Sequence, residues 1–497
     1  MTAPIEVRSP LDDRLLATVP DSSMDEVATA GNRLRAAQPD WEAAGPKQRA
    51  VVLRRFRDWL LDNAGHLDAT LREETGRSRR EAALELPLVV EMVNYLADNA
   101  ARFLAGERPR SSGMLSWKQK RYIAFRPYPV VGVISPWNFP LLIPGADVVP
   151  ALLAGAAVLL KPSEVTPLTA LELARGWQEI GAPPVFEVVT GAGATGAAVV
   201  DTVDYVQFTG STRTGKAIAH RAVDRGIGYS LELGGKDPAI VLADADLGRA
   251  VAGVAWGGLL NSGQACVSVE RVYVESPVYD EFVTRLTQFV RDRRQGVADD
   301  AEIGTMATTA QSKIVETHVR QALDAGATAL TGGTVVDGGR FFEPTVLIDV
   351  DHSMDIMREE TFGPTIPIMR VANAEEAVRL ANDSGYGLSA TVWTRDLARG
   401  RAIATRLDAG AVNINDVIVN LLNWTVPQGG WKSSGTGARF SGSYSLRKYT
   451  RTQAITEPNL VTLPTEPLWF PYTPARDAVA ARALRFVSAR GLRRVRR

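Results

Sequence analysis

The run VVGVIS at 130–135, followed by AVLLKP at 157–162, VFEVVTG at 185–191, DYVQFTGS at 204–211 and YSLELGG at 229–235, decides the fold class. Each is a short apolar block closed by Gly, Pro or Ser, and segments of helical length lie between several of them. Strands that alternate with helices predict an α/β protein built on a parallel sheet with helices on its faces. Asp237–Pro238 opens a second series. AIVLAD at 239–244 reads as a strand, DLGRAVAGVAWGGLL at 246–260 as a helix and ERVYVES at 270–276 as a strand. FFEPTVLIDV, TIPIMRV and GLSATVWT repeat the theme as far as Thr394, so the change of lobe is expected near Gly235.

Upstream, VRSPLDDRLLATVP reads as a hairpin with Leu11, Asp12 and Asp13 at its turn, and residues 24–105 as helix. There RAVVLRRFRDWLLDNAGHL places apolar residues at three- and four-residue spacing. The segment 130–160 carries a single charge, Asp147, over a length that could cross a bilayer. Pro136, Pro140, Pro144 and Pro150 interrupt it, each removing a backbone donor, so a strand, a loop and a packed helix are expected instead. The opening MTAPIEVRSPLDD lacks the apolar core of a signal peptide.

At 497 residues two or three lobes are expected. Basic and acidic residues number 56 each, which speaks against a nucleic-acid partner. One cysteine rules out an intramolecular disulfide and suits a reducing compartment, here the cytoplasm. The four histidines are scattered without ligand spacing, so neither a metal site nor a Ser-His-Asp mechanism is expected.

Chemistry gathers around that lone cysteine, Cys266 in NSGQAC, where small residues and an amide are expected to leave room beside the sulfur. A base or positive electrostatics would make it a nucleophile. Glu232 in ELGGKDP sits between two leucines at a strand end, where desolvation should raise its pKa towards the range of a general base. Asn138, fixed between prolines in PWNFP, can aim an amide at a developing oxyanion. Gly210 and Ser211 in FTGS close a strand and open a helix whose free amides suit a phosphate. Gly191, Gly193 and Gly196 spell GxGxxG, but among 43 glycines that spacing is common, and no ribose-binding acid follows at the usual distance.

PWNFP, KPSEVTPLT, FTGSTRTG, LELGGKDP, NSGQAC, EETFGP and PQGGWKSSG, in this order, resemble the aldehyde dehydrogenase family from Val7 to about Ile455. The resemblance implies a Rossmann-like cofactor domain (1–105 and 128–234), an α/β catalytic domain (235–425) and a small oligomerisation sheet with bridging segments (106–127 and 426–460), followed by a basic extension (461–497). It implies a homodimer or homotetramer that oxidises an aldehyde with NAD, or alternatively NADP. Cys266 matches the nucleophile, Glu232 the base, and Asn138 with the Cys266 amide the oxyanion hole. Lys161 and Glu164 match the adenosine-ribose contacts, Trp137 and Ser211 the pyrophosphate contacts, and Glu360 and Phe362 the nicotinamide contacts.

Within the family the chain is most similar to an actinobacterial subgroup labelled succinic-semialdehyde dehydrogenase. Members with that activity present two arginines to the substrate carboxylate, at the positions of Ala146 and Leu260 here. Their absence predicts an uncharged apolar or aromatic aldehyde, unless Arg439 reaches the pocket. Succinic semialdehyde, or an acylating reaction that uses coenzyme A, are the alternatives. Asp147 stands where many relatives carry a relay lysine, and a second relay glutamate is missing near Ala438. The final segment, from Arg476 to Arg497, carries eight arginines and one acid, with Val479, Ala483, Phe486 and Val487 at helical spacing. It is expected to lie peripherally on a membrane, to remain solvated, or to pack on a neighbouring subunit.

Overall fold

The computed structural model describes residues 3–113, 116, 119–459 and 469–489. By contacts the chain forms two units, Met1–Phe103 with Pro127–Tyr449, and Leu104–Arg126 with Thr450–Arg497. The larger unit contains two large sheets, of six and seven strands, and two two-stranded ones. The smaller unit contains a two-stranded sheet, Gln119–Pro127 with Thr450–Pro458, and a helix, Pro474–Ser488.

The first sheet has six strands in the spatial order Gly435–Thr436, Gly228–Glu232, Tyr205–Thr209, Val130–Ile134, Ala157–Lys161 and Phe186–Val188. All pairs are parallel except that of Gly435–Thr436 with Gly228–Glu232. Fully buried runs such as VVGVI and AVLLK are what a parallel sheet covered on both faces demands. From Val130–Ile134 the chain winds outwards in one direction to Ala157–Lys161, then in the other through Tyr205–Thr209. This reversal opens a crevice at the carboxyl ends of these neighbouring strands, the place where open α/β sheets bind ligands.

The second sheet has seven strands, with Asp237–Val241 and Val269–Glu275 paired in parallel at its centre. Ser389–Trp393 joins on one side and Thr365–Val371 on the other. Between Glu232 and Asp237 the chain passes from one sheet to the other. The N-terminal helical region consists of five helices: Met24–Ala43, Gly45–Asp62, Ala64–Thr75, Arg79–Ala82 and Glu85–Phe103. The hairpin pairs Ile5–Arg8 with Leu15–Val19. Residues 130–160 form a strand, a proline-bounded loop and the helix Leu142–Ala154, and among the described residues no helix is long and apolar enough to cross a membrane.

Candidate active site

At the crevice, PWNFP follows strand Val130–Ile134, and Gly210–Ser211 follows strand Tyr205–Thr209. Their strands are hydrogen-bonded neighbours, so the two loops emerge side by side. A cavity of about 270 Å³ opens here, lined among others by Trp137, Asn138, Ser211, Glu232, Cys266 and Glu360. Gly210 and Phe362 also line it, and the Trp137 and Phe362 rings meet edge to face with centroids 5.4 Å apart.

Glu232 ends its strand opposite Thr209 on one neighbour and Gly435 on the other. Its side chain is buried, and neither carboxylate oxygen has a hydrogen-bond partner among the described residues. Burial pushes its pKa up to about 7, against the opposing pull of Arg439 and Lys448. An ionisable oxygen pair held bare beside a cavity suits proton transfer with something that enters it.

Cys266 lies in the loop between helix Leu247–Leu259 and strand Val269–Glu275. The residue keeps a partial opening to the cavity. Even so, burial dominates the ionisation of its thiol and pushes it up to about 12, with Arg439 opposing and Asp237, Glu360 and Glu232 adding to the rise. The resting group is therefore a neutral thiol that needs a base.

The cavity lies beside the sulfur, and the amide side chains of the loop hold its shape. Asn261 and Ser262 both have φ of 55°, and the Asn261 side chain is a structural tie. Its Nδ2 donates to the carbonyls of Asn138 (3.1 Å) and Gln264 (3.0 Å), its Oδ1 accepts from Arg77 Nε (2.8 Å), and its backbone N–H donates to Glu81 Oε1 (2.6 Å). Gln264 is tied in turn to Asn261 O and to the Ala307 N–H. Asn138 Nδ2 donates to Gln264 O at 3.0 Å, which leaves its second amide hydrogen available. One network thus fixes the cysteine loop to the PWNFP loop. Neither Asn261 nor Arg77 was marked by sequence spacing, since Arg77 lies 184 residues from its partner.

Of the other residues singled out in the sequence, Lys161 and Ser211 lie at the same edge of the sheet, and Glu360 comes from the segment before strand Thr365–Val371 of the second sheet. Lys161 ends strand Ala157–Lys161, buried, with Nζ 2.8 Å from Pro162 O and 3.6 Å from the half-exposed Glu164 carboxylate. Ser211 caps helix Thr212–Asp224 by accepting the Thr214 N–H. Glu360 Oε1 accepts the Gly235 N–H at 3.0 Å, and burial pushes this carboxyl up to about 8. A dinucleotide fits this arrangement, because carboxyl ends of parallel strands, a helix N-terminus and a paired Lys–Glu are laid along one crevice. At the GxGxxG stretch the helix start has an acceptor from within the chain. Asp21 Oδ1 accepts from Ala192 N and Thr195 Oγ1, so a carboxylate of the chain already occupies that helix start.

Two expected substrate neighbours are placed elsewhere. Ala146 is buried within helix Leu142–Ala154, and Leu260 lines a second cavity of about 310 Å³ with Leu84, Trp256 and Phe289. Arg439 does not face the catalytic cavity's ligand space. It is buried against Asp147 and Thr209, beside Lys448 and Tyr449. Among the described residues no cluster could hold a metal ion.

The aldehyde dehydrogenase family model matches residues 1–455. The chain belongs to the aldehyde dehydrogenase family. It is therefore an NAD(P)-dependent oxidoreductase that acts on an aldehyde. It is 40% identical over 457 residues to a Mycolicibacterium smegmatis protein named "Putative succinate-semialdehyde dehydrogenase [NADP(+)]", covering 90% of this chain and 88% of the relative. It is 39% identical over 469 residues to the 4,4'-diapolycopene aldehyde oxidase of a Methylomonas species, covering 94% and 88%. Among solved structures, lactaldehyde dehydrogenase from Escherichia coli matches with a TM-score of 0.88 at 34% identity, over 92% of this chain and 96% of that one.

Proposed function

We propose that this aldehyde dehydrogenase converts an uncharged apolar or aromatic aldehyde to its carboxylic acid by way of a thioester on Cys266. The observation that carries the reading is one cavity lined by a thiol, an unpartnered buried carboxylate and an amide with a free hydrogen: Cys266, Glu232 and Asn138. The Cys266 thiol passes its proton to solvent, and its Sγ attacks the aldehyde carbon. Asn138 Nδ2 and the Cys266 N–H stabilise the oxyanion that forms. NAD(P), when bound, supplies the acceptor for the hydride that leaves this carbon. The oxyanion collapses to a thioester as the hydride departs. Glu232 then deprotonates water, which attacks the thioester and releases the acid and the thiol. A resident hydrolytic base favours water over coenzyme A as the acyl acceptor.

Trp137, Lys161, Glu164, Gly210, Ser211, Glu360 and Phe362 form the cofactor's cradle in this reading, with the adenosine end near Lys161 and the nicotinamide near Phe362. Residues 1–105 and 128–234 are the cofactor domain, 235–425 the catalytic domain, and 106–127 with 426–460 the bridging segments of a cytoplasmic homodimer or homotetramer. The preference for an apolar aldehyde rests on charge. The residues that line the catalytic cavity include two carboxylates and no lysine or arginine, and Arg439 is engaged by Asp147. The relative named for succinate semialdehyde supports the competing substrate, and the relative named for diapolycopene aldehyde supports this one.

The test is a panel of aldehydes assayed by absorbance of the reduced cofactor, with and without coenzyme A, on the native enzyme and on Cys266→Ala. Turnover independent of coenzyme A and abolished in Cys266→Ala is expected, with cofactor binding kept. Steady turnover by Cys266→Ala would refute the mechanism.

A further inference from the structure

Beyond the active site, the described end of the chain exposes a run of large apolar residues. Trp469, Phe470 and Tyr472 are 59%, 76% and 63% exposed. Directly after them Thr473 caps helix Pro474–Ser488 by accepting the Arg476 N–H at 3.3 Å, and no residue of that helix is buried. At 100° per residue, Val479, Ala480, Ala483, Leu484, Phe486 and Val487 fall on one arc, while Arg482, Arg485 and Ser488 fall opposite. Val479, Leu484, Phe486 and Val487 are each more than half exposed.

An apolar arc of this kind needs cover, and charge indicates what supplies it. The chain as a whole is neutral, yet its last segment from Arg476 holds eight arginines and one acid. A partner must therefore offer apolar depth and dense negative charge on the same face. The surface of an anionic bilayer does so, with acyl chains below a phosphate layer. Aromatic residues with a polar edge, such as Trp469 and Tyr472, favour that boundary. The helix has 15 residues and carries three arginines, two of them opposite the apolar arc, so it suits lying in the interface and does not suit spanning it.

We propose that 469–488 docks the enzyme on a membrane rich in anionic lipid. The Val479–Phe486–Val487 arc rests in the acyl boundary, and Arg482 and Arg485 meet the headgroups. This stands independently of the reaction assigned to Cys266, although it brings the enzyme to the phase in which an apolar aldehyde collects.

The test uses the full-length enzyme and vesicles of phosphatidylcholine alone or mixed with phosphatidylglycerol, with bound protein read by flotation at low and high salt. Binding is expected to the mixed vesicles, to weaken at high salt, and to fall about tenfold or more in Arg482→Glu/Arg485→Glu and in Phe486→Asp. Aldehyde oxidation in solution should be unchanged in both variants, which shows that they fold. Equal binding to neutral and anionic vesicles, or none to either, would overturn the proposal. So would a change of oligomeric state in these variants by light scattering, which would assign the arc to a second copy of the chain.

Discussion

Arg439 grips both oxygens of Asp147 through one edge of its guanidinium, Nε to Oδ1 at 3.1 Å and Nη2 to Oδ2 at 3.0 Å, with both side chains buried. Tyr449 donates to the same Oδ1 at 3.1 Å, and Lys448 Nζ lies 3.9 Å from it and donates to Gln207. Where many family members carry a lysine, this chain has the acid, and the cation comes from the segment after the SGTG turn. Arg439 also contacts Thr209, the strand neighbour of Glu232, so the pair stands directly behind the base.

Removing either member should therefore move the acid limb of the rate profile in opposite directions. Asp147 raises the pKa of Glu232 and Arg439 lowers it. Asp147→Asn is expected to shift the limb to lower pH, and Arg439→Met to higher pH. Each should also cost about 3–5 kcal/mol of stability, because a buried charge loses its partner. Shifts of the same sign in the two variants would show that the pair does not act on Glu232 through its charge.

Glu232→Gln should still form the thioester, giving a burst of reduced cofactor, and then stall. In the native enzyme, hydrolysis requires the carboxylate, so its rate should fall as pH drops below about 7. The same shift has a stability signature of known sign. A carboxyl whose folded pKa is raised stabilises the fold at low pH and loses that contribution as pH rises through about 7. The melting temperature of Glu232→Gln should accordingly gain on that of the native enzyme as pH rises from about 4.5 to about 7, and hold that gain above it. Undiminished steady turnover in the variant would assign the base to another group.

Medium-chain and aromatic aldehydes should be oxidised with higher kcat/KM than succinic semialdehyde. An unpartnered buried carboxylate costs at least about 3 kcal/mol, which is about a hundredfold in efficiency. The engagement of Arg439 by Asp147 removes the cation that could have offset this cost. Equal efficiency on the two classes would overturn the substrate assignment.

Glu164 faces the proposed adenosine ribose from beside Lys161. Its charge would oppose a 2′-phosphate and accept from free ribose hydroxyls, so NAD should be preferred to NADP. Glu164→Gln should raise the NADP/NAD ratio of kcat/KM several-fold, since an exposed like-charge contact is worth about 1 kcal/mol. A ratio unchanged by the substitution would place the ribose elsewhere.

What could be read in advance follows a physical division. PWNFP, FTGS and ELGG sit where strands stop, and the prolines and glycines that stop them are visible as letters. The buried strands announce themselves as β-branched blocks. Pairings across the chain leave no such trace: Asp147 meets Arg439 over 292 residues and Tyr449 over 302. The same limit hid Asp21 at the start of the glycine stretch, 171 residues from Ala192, and Arg77 beneath the cysteine loop. Leu260 illustrates a further limit. Its distance along the chain from Cys266 is short, yet the left-handed turn at Asn261 and Ser262 sends its side chain to a separate cavity.

The four residues 233–236 are the only direct covalent step from the strand of Glu232 to the strand beginning at Asp237. A tether of that length reaches at most about 14 Å even when fully extended. It also has no slack, because a Cβ at Gly234 would fall 2.3 Å from Glu360 Oε2 and one at Gly235 would fall 2.6 Å from Cys266 O. The base and the nucleophile are therefore moored on either side of a fixed spine. A side chain added at Gly234 would have to displace the Glu360 carboxylate, and one at Gly235 would have to push back the loop of the nucleophile.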